Sequence, residues 1–425
     1  MQQRIRATGK HRYVGAADDV ALVSALAEEL RVRNENADLL DRDAVWAGKR
    51  QALEKIFEVP RSPARKVAFN AFLEEEGEDL QAYARWCALA EQFGPRWDEW
   101  PEHAAEVEPD PHRVEFYAWL QWIFDEQLDH VQRELLRAGM KIGIIQDLAI
   151  GVHPFGADTW AMGDLLTQGF RVGAPPDMFS PAGQDWSQPP WNPVTLAQAE
   201  YLPFRDILRF VMRHAGGLRI DHIIGLFRLW WIPPGAPPVD GTYVRYDHQA
   251  LIDILCLEAA RAGVTLIGED LGTVEPWARD VLSDRGILGT TVLLFERDGE
   301  TIHDPNGWRT ECLASVTVHD LPPTAQYLDG SHLRLWDELS KASGQPVGPI
   351  GDSYVRQTGV PLVTLDTQCD MTKNQTIVTL KQQPFPNTNA YPGLQWTVPI
   401  TLAYGQGLAK RTTLALKDTQ TQTRV

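Results

Sequence analysis

Gly216-Gly217-Leu218-Arg219-Ile220-Asp221-His222 is the stretch on which the fold turns. Its apolar run, residues 218–224, is short and carries charged residues near its middle. Four further runs share that form: 142–148 (IGIIQDL), 265–271 (TLIGEDL), 291–296 (TVLLFE) and 314–320 (ASVTVHD). Apolar, β-branched runs of this length alternating with helical stretches predict parallel strands in an α/β fold. Each of four runs also carries an acid near its end: Asp147, Asp221, Glu269 and Asp320. In a closed parallel barrel such strand ends converge at one mouth, where catalytic groups lie. The last three acids are therefore expected to meet, although 48 and 51 residues separate them in sequence.

The chemistry follows from residue type and spacing. Residues two apart in a strand share a face, so Arg219 and Asp221 point the same way. An arginine beside a carboxylate keeps it ionised, which suits a nucleophile. Crowded carboxylates do not all ionise freely, so one of them is expected to hold a proton at neutral pH. A charged nucleophile with a protonated partner is the equipment of retaining glycoside chemistry. Asp270, next to Glu269, is read as a helix cap. His222 and His248 lie in no HxH or HExxH spacing, so no metal site is expected. Neither GxGxxG nor GxxxxGK follows a strand, which disfavours a nucleotide cofactor.

Around this core the chain changes character. Residues 1–36 are polar and hard to assign, and residues 37–140 read as a helical subdomain with solvated acidic faces. Its clearest helix spans residues 111–140, with Asp110 and Pro111 as start and Gly139 as stop. There Tyr117, Leu120, Phe124, Leu128, Val131 and Leu135 recur at spacings of three and four. Residues 141–343 form the expected catalytic core. Residues 173–193 (GAPPDMFSPAGQDWSQPPWNP) read as a structureless lid or binding loop. From 344 to 425 there is no Glu, Thr and Gln abound, and 7 Lys/Arg face 4 Asp. The strand-like pieces there, such as residues 361–366, are weak.

The 425 residues carry 40 Lys+Arg against 57 Asp+Glu, a net charge of −17 that repels phosphates and argues against nucleic-acid or anionic-membrane partners. No apolar run reaches the length of a membrane span, and the first residues, MQQRIRATGKHR, lack a signal-peptide core. Four scattered cysteines, Cys87, Cys256, Cys312 and Cys369, fit reduced thiols and a cytoplasmic setting. The 15 Trp divide into core residues such as Trp119 and Trp122 and candidate sugar platforms, Trp160, Trp186 and Trp191. Trp230 and Trp231 suit either role.

RIDH at 219–222, GEDLG at 268–272 and VHD at 318–320, with GAPPDMFSPAGQDW at 173–186, resemble the amylomaltases. HAGGLRIDHIIGLFRLWWIP and GTYVRYDH are similar to their actinobacterial branch. The resemblance covers residues 46–336. It implies a (β/α)8 TIM-type barrel with a helical insertion, and transfer of α-1,4-glucan segments to the 4-hydroxyl of glucose or a maltooligosaccharide. It further implies Asp221 as nucleophile, Glu269 as general acid/base and Asp320 as the acid that stabilises the transition state. Arg219, His319, Asp147 and Trp160 are implied as sugar contacts, with Asp177 and Trp186 in the loop that covers the cleft. No cofactor is implied. Family members carry barrel strands before the helical region that residues 1–36 do not match, so a barrel incomplete at its N-terminus is expected. The segment 344–425, of which 382–399 loosely matches the family's closing part, would have to close it, or an oligomer would. A silent glucan-binding protein and an α-glucan hydrolase are the alternatives.

Overall fold

The computed structural model describes residues 41–177, 180–272, 274–298, 301–321, 347–355, 360–370, 375–384, 394–405 and 410–424, with short pieces at 24–25, 27–28, 30–31, 340 and 372–373. The chain divides into two compact units, Met1–Ile287 and Leu288–Val425.

The first unit begins with three helices, α1 (Arg42–Phe57), α2 (Pro63–Phe93) and α3 (Pro111–Arg137). Each starts on a capping side chain: Asp41, Ser62 and Asp110 accept main-chain N–H bonds from Ala44, Arg65 and His112. The capping residues satisfy donors that the first helical turn cannot pair internally. The helices close on Phe57, Phe69, Phe72, Phe116, Trp119 and Trp122. Trp119 and Trp122 are thus core residues. The stripe expected on α3 holds for Tyr117 and Leu120 and is corrected beyond them; the helix itself is three residues shorter than expected, with the stop residue Gly139 just past its cap at φ 95°. The helix stops at Arg137, and its buried residues are Phe116, Tyr117, Ala118, Trp119, Trp122 and Ile123. Phe124 and Val131 are 54% and 45% exposed. The aromatic residues of the first half define the packed face, because the shared core contains residues of α1 and α2 only alongside that half.

Beyond α3 the chain forms a parallel sheet of β1 (Ile145–Leu148), β4 (Gly217–Ile220) and β7 (Thr265–Gly268), in the order β1-β4-β7. Between its strands run α4 (Ala157–Met162), β2 (Arg171–Ala174), β3 (Gln184–Asp185), α5 (Pro193–Gln198), α6 (Leu202–Met212), β5 (Arg228–Ile232), β6 (Thr242–Arg245) and α7 (His248–Ala262), with α8 (Pro276–Asp284) following β7. Strands β3-β2-β5-β6 make a second, antiparallel sheet. One face of the parallel sheet, through Leu218 and Ile220, belongs to a core with Leu208, Met212, Leu251 and Leu255 of the helices. The glycine just before β4, Gly216, has a steric cause. A Cβ on Gly216 would stand 1.9 Å from the carbonyl oxygen of Ile142.

Two expectations change here. β1 ends at Leu148, where its apolar run ends, but β4 and β7 stop at Ile220 and Gly268, earlier than theirs, and Ile223–Leu226 is a 3₁₀ turn. Residues 173–193 are not structureless. They hold the end of β2, all of β3 and the first residue of α5, and the main chain of Trp186 bonds back to Val172 at 2.9 Å. Proline and glycine density marks tight turns as readily as disorder.

The second unit holds β8 (Gly289–Val292) and β11 (Cys312–Ser315), paired in parallel, with the small hairpin β9 (Arg297–Asp298) and β10 (Thr301–Ile302) between them. Among the described residues, helix α9 (Val347–Val355) is followed by five strands: β12 (Pro361–Asp370), β13 (Gln375–Pro384), β14 (Val398–Tyr404), β15 (Lys410–Leu416) and β16 (Gln420–Arg424). All five pair antiparallel, as β12-β13-β16 and β14-β15. Val378, Leu380 and Gln382, two apart along β13, are its buried side chains. The weak strand expected at 361–366 is ten residues long.

Candidate active site

The pairing of β4 with β7 aligns Ile220 with Gly268, so Asp221 and Glu269, each the next residue, leave neighbouring strands side by side. Adjacent strands lie about 4.8 Å apart, which is what brings two carboxyl groups so distant in sequence together. The pairing of β1 with β4 aligns Asp147 with Arg219. Arg219 donates through Nη1 to Asp147 Oδ1 at 2.6 Å and to Asp221 Oδ1 at 2.9 Å. Its side chain is 10% exposed, whereas those of Asp147 and Asp221 are 46% and 33% exposed. The charge is therefore fixed beneath the sheet end while the two acids reach outward. Burial works against the Arg219 guanidinium, but hydrogen bonding and charge from Asp147 and then Asp221 outweigh it, and its pKa stands above the ordinary arginine value.

Glu269 is held differently. Its Oε2 accepts the main-chain N–H of His222 at 3.0 Å and its Oε1 that of Leu271 at 2.6 Å. Burial is the largest influence and raises its pKa. The two N–H donors and Arg219 pull it down, and Asp221 pushes it up, with a net rise above the ordinary glutamate value. The neighbouring acid has another fate. Asp270 is 2% exposed and pairs with Arg279 at 3.5 Å, while the cap position of α8 is Glu275. The cap reading of Asp270 is thus corrected to an ion pair: seven residues, 269–275, separate the end of β7 from the start of α8, which leaves Asp270 five residues short of the cap position.

The loop residues sort by distance. The Trp186 ring stands edge-on to His222, centroids 5.2 Å apart, and its Nε1 donates to Gln184 Oε1 at 3.1 Å. Asp177 is exposed, and its carboxylate accepts the Ser180 N–H at 2.6 Å, closing a turn. Trp160 is half-buried beside Trp100, with centroids 6.4 Å apart. Trp191 accepts through its carbonyl from Tyr246 Oη, which itself accepts from Trp231 Nε1. Trp231 is 9% exposed, a packing residue. His319 and Asp320 follow β11 in the second unit, 3.5 Å from each other, with side chains 68% and 69% exposed. Among the described residues no group of three or more His, Cys, Asp or Glu is arranged to hold a metal ion.

His222 is a member of the site that residue type alone does not reveal. It has a left-handed backbone, φ 46° and ψ 58°, unusual for a residue other than glycine. Burial, then the nearby charge of Arg228, lowers its imidazole to a pKa of about 4. The available signal in sequence is only its place directly after Asp221.

The arrangement defines a class: an α/β protein with two carboxyl groups at adjacent parallel-strand ends, one fixed by an arginine and the other raised toward its acid form. Residues 6–398 match the 4-alpha-glucanotransferase family, and the chain belongs to it. The 4-alpha-glucanotransferase of Mycobacterium tuberculosis is 53% identical over 331 residues, which are 75% of this chain and 46% of that protein. The one from Haemophilus influenzae is 35% identical over 338 residues, 73% of this chain and 48% of its own length. Among solved structures, amylomaltase from Corynebacterium glutamicum superposes with a TM-score of 0.66 and 46% identity, covering 78% of this chain and 47% of that one. Amylomaltase from Streptococcus agalactiae in complex with acarbose, 19% identical with a TM-score of 0.60 over 73% of this chain and 66% of that one, supports the fold alone. The fold is α/β, of the TIM-barrel class of these relatives. The chain spans about half the length of the curated relatives it matches.

Proposed function

We propose that this chain carries the catalytic centre of a 4-alpha-glucanotransferase working by retaining double displacement. The observation that carries the reading is the pair Asp221 and Glu269: adjacent, yet one against a fixed guanidinium and the other raised by burial. Glu269 as acid protonates the bridging oxygen while Asp221 attacks the anomeric carbon, forming a glycosyl-enzyme. Glu269, now a base, takes the proton of an incoming 4-hydroxyl, whose oxygen displaces Asp221 and restores the α configuration. Arg219 and Asp147 contact the sugar at the cleavage point. Trp186 offers a ring face to a pyranose, with Asp177 and Trp160 as outlying contacts. Asp320 and His319 brace the ring hydroxyls as the ring flattens, contacts that strengthen in the transition state. The substrates are α-1,4-glucans and maltooligosaccharides, with glucose as acceptor.

In this reading residues 37–140 are the helical subdomain, 141–343 the catalytic core and 344–425 a divergent closing segment. A cytoplasmic setting is supported by four free cysteines. Among the described residues no helix is long and apolar enough to cross a membrane.

A second reading, α-glucan binding without turnover, draws on the high exposure of His319 and Asp320. Incubation with maltotriose followed by chromatography separates the two. Transfer yields glucose and a ladder of longer oligosaccharides, and hydrolysis yields glucose and maltose without a ladder. Unchanged maltotriose together with a binding isotherm would leave only the second reading.

A further inference from the structure

His222 follows the proposed nucleophile, yet it reaches the acid/base and the loop. Its main-chain N–H reaches Glu269 Oε2 at 3.0 Å, and the next N–H, of Ile223, reaches the Glu269 carbonyl at 3.0 Å. Its ring stands against Trp186 of the 173–193 segment. Two consecutive donors aimed at one residue require the chain to turn sharply as it leaves β4. The left-handed conformation of His222 supplies that turn. Such a conformation is unfavourable for an ordinary side chain, so the surroundings must hold it there. The imidazole packed on Trp186 is one such hold. Gly268 is another: a Cβ there would stand 2.7 Å from Ile223 Cδ1, so the strand beside the turn has to be bare.

We propose that His222 is the positioning residue of the acid/base: its left-handed backbone presents its N–H to Glu269, and its ring ties that turn to Trp186. The proposal rests on the reading of Glu269 as acid/base and adds how its proton affinity is set and linked to the loop. Among the described residues, the charged and titratable groups near Glu269 are Asp221 just past β4, Arg219 on β4 with its partner Asp147 on β1, and His222, whose imidazole also feels the charge of Arg228. Of these, the His222 N–H is the contact that a change of backbone conformation removes while every charge stays in place.

The test compares His222→Gly, which accepts a left-handed backbone without cost, with His222→Val, which resists it. The carboxyl titration of Glu269 is read by carbon-13 NMR of glutamate-labelled protein, the signal being assigned by its loss in Glu269→Gln. This readout needs no turnover, so it stands even if the maltotriose assay shows none. His222→Val should raise the Glu269 pKa by about one to two units, the size of a lost N–H to carboxylate bond. His222→Gly should leave it near the wild-type value. Where turnover is present, both variants should raise KM for maltotriose by about three- to tenfold through the lost ring contact. If valine prevents folding, as circular dichroism would reveal, His222→Ala takes its place with a smaller rise. An unshifted Glu269 in the folded valine or alanine variant overturns the proposal. So does an equal shift in the glycine variant, which would assign the effect to the imidazole.

Discussion

Arg219 at the end of the parallel sheet and Gln382 in the antiparallel tail are both buried polar residues, 8% and 5% exposed as whole residues, and they are satisfied in opposite ways. Gln382 accepts the N–H of Trp396 at 2.8 Å and donates to the carbonyls of Trp396 and Asp418 at 2.8 and 3.1 Å. Its partners are main chain and its bonding capacity is taken up inside the fold. Arg219 bonds two carboxylates that themselves reach toward solvent. A buried polar group closed on main chain cross-links a fold, whereas one that ends in half-exposed acids presents charge to a ligand. The first arrangement is structure, and the second is the candidate site.

The difference can be broken at several strengths. Asp221→Ala should lower transfer from maltotriose by about a thousandfold or more, as loss of a nucleophile does, with little change in thermal unfolding. Retained transfer would refute the nucleophile assignment. Gln382→Ala should act in reverse. The main-chain N–H and carbonyl of Trp396 would be left buried and unpaired, at a cost of about 2–3 kcal/mol. Hydrogen exchange should report that loss in the second unit alone, with transfer retained; a loss spread evenly through the first unit would contradict it. Trp186→Ala should raise KM several-fold and change kcat less, since an aromatic contact contributes about 1 kcal/mol. Equal falls in kcat and kcat/KM would instead place that ring in the transition state.

The smallest effect concerns pH and stability. The folded pKa of Glu269 lies above its unfolded value, so the folded state binds the extra proton. Stability from this group is then highest below the unfolded pKa and falls as pH rises toward the folded one. Glu269→Gln should flatten that part of the stability profile. An unaltered slope between wild type and variant would show that burial does not hold the group's proton.

Much of the first unit was legible in the sequence because its periodicities are local. Asp110 and Pro111 cap α3, and the apolar runs mark β1, β4 and β7 to within a few residues. The spacing of Arg219 and Asp221 put them on one face, as their 2.9 Å hydrogen bond reflects. The second unit was harder to read. Thr- and Gln-rich strands carry little hydrophobic contrast, so β12 looked weak although its ten residues pair along their whole length with β13. The α3 stripe misled for a related reason. Phe124 and Val131 have the right spacing for a buried face, but periodicity does not say how far along the helix its neighbours extend.

What the amino-acid sequence determined by itself was the class of fold, the acids at the strand ends and the pairing of Arg219 with Asp221. These depend on residue type and on the two-residue repeat of a strand. Only the tertiary structure decided which acid became raised and which became an ion pair. Glu269 and Asp270 are neighbours in sequence just past the end of β7, yet their side chains lie in different surroundings. One meets Asp221 and the N–H of His222, and the other meets Arg279. Proton affinity is set by burial and by the charges within a few ångströms, and those come from strands and helices that the local sequence does not contain.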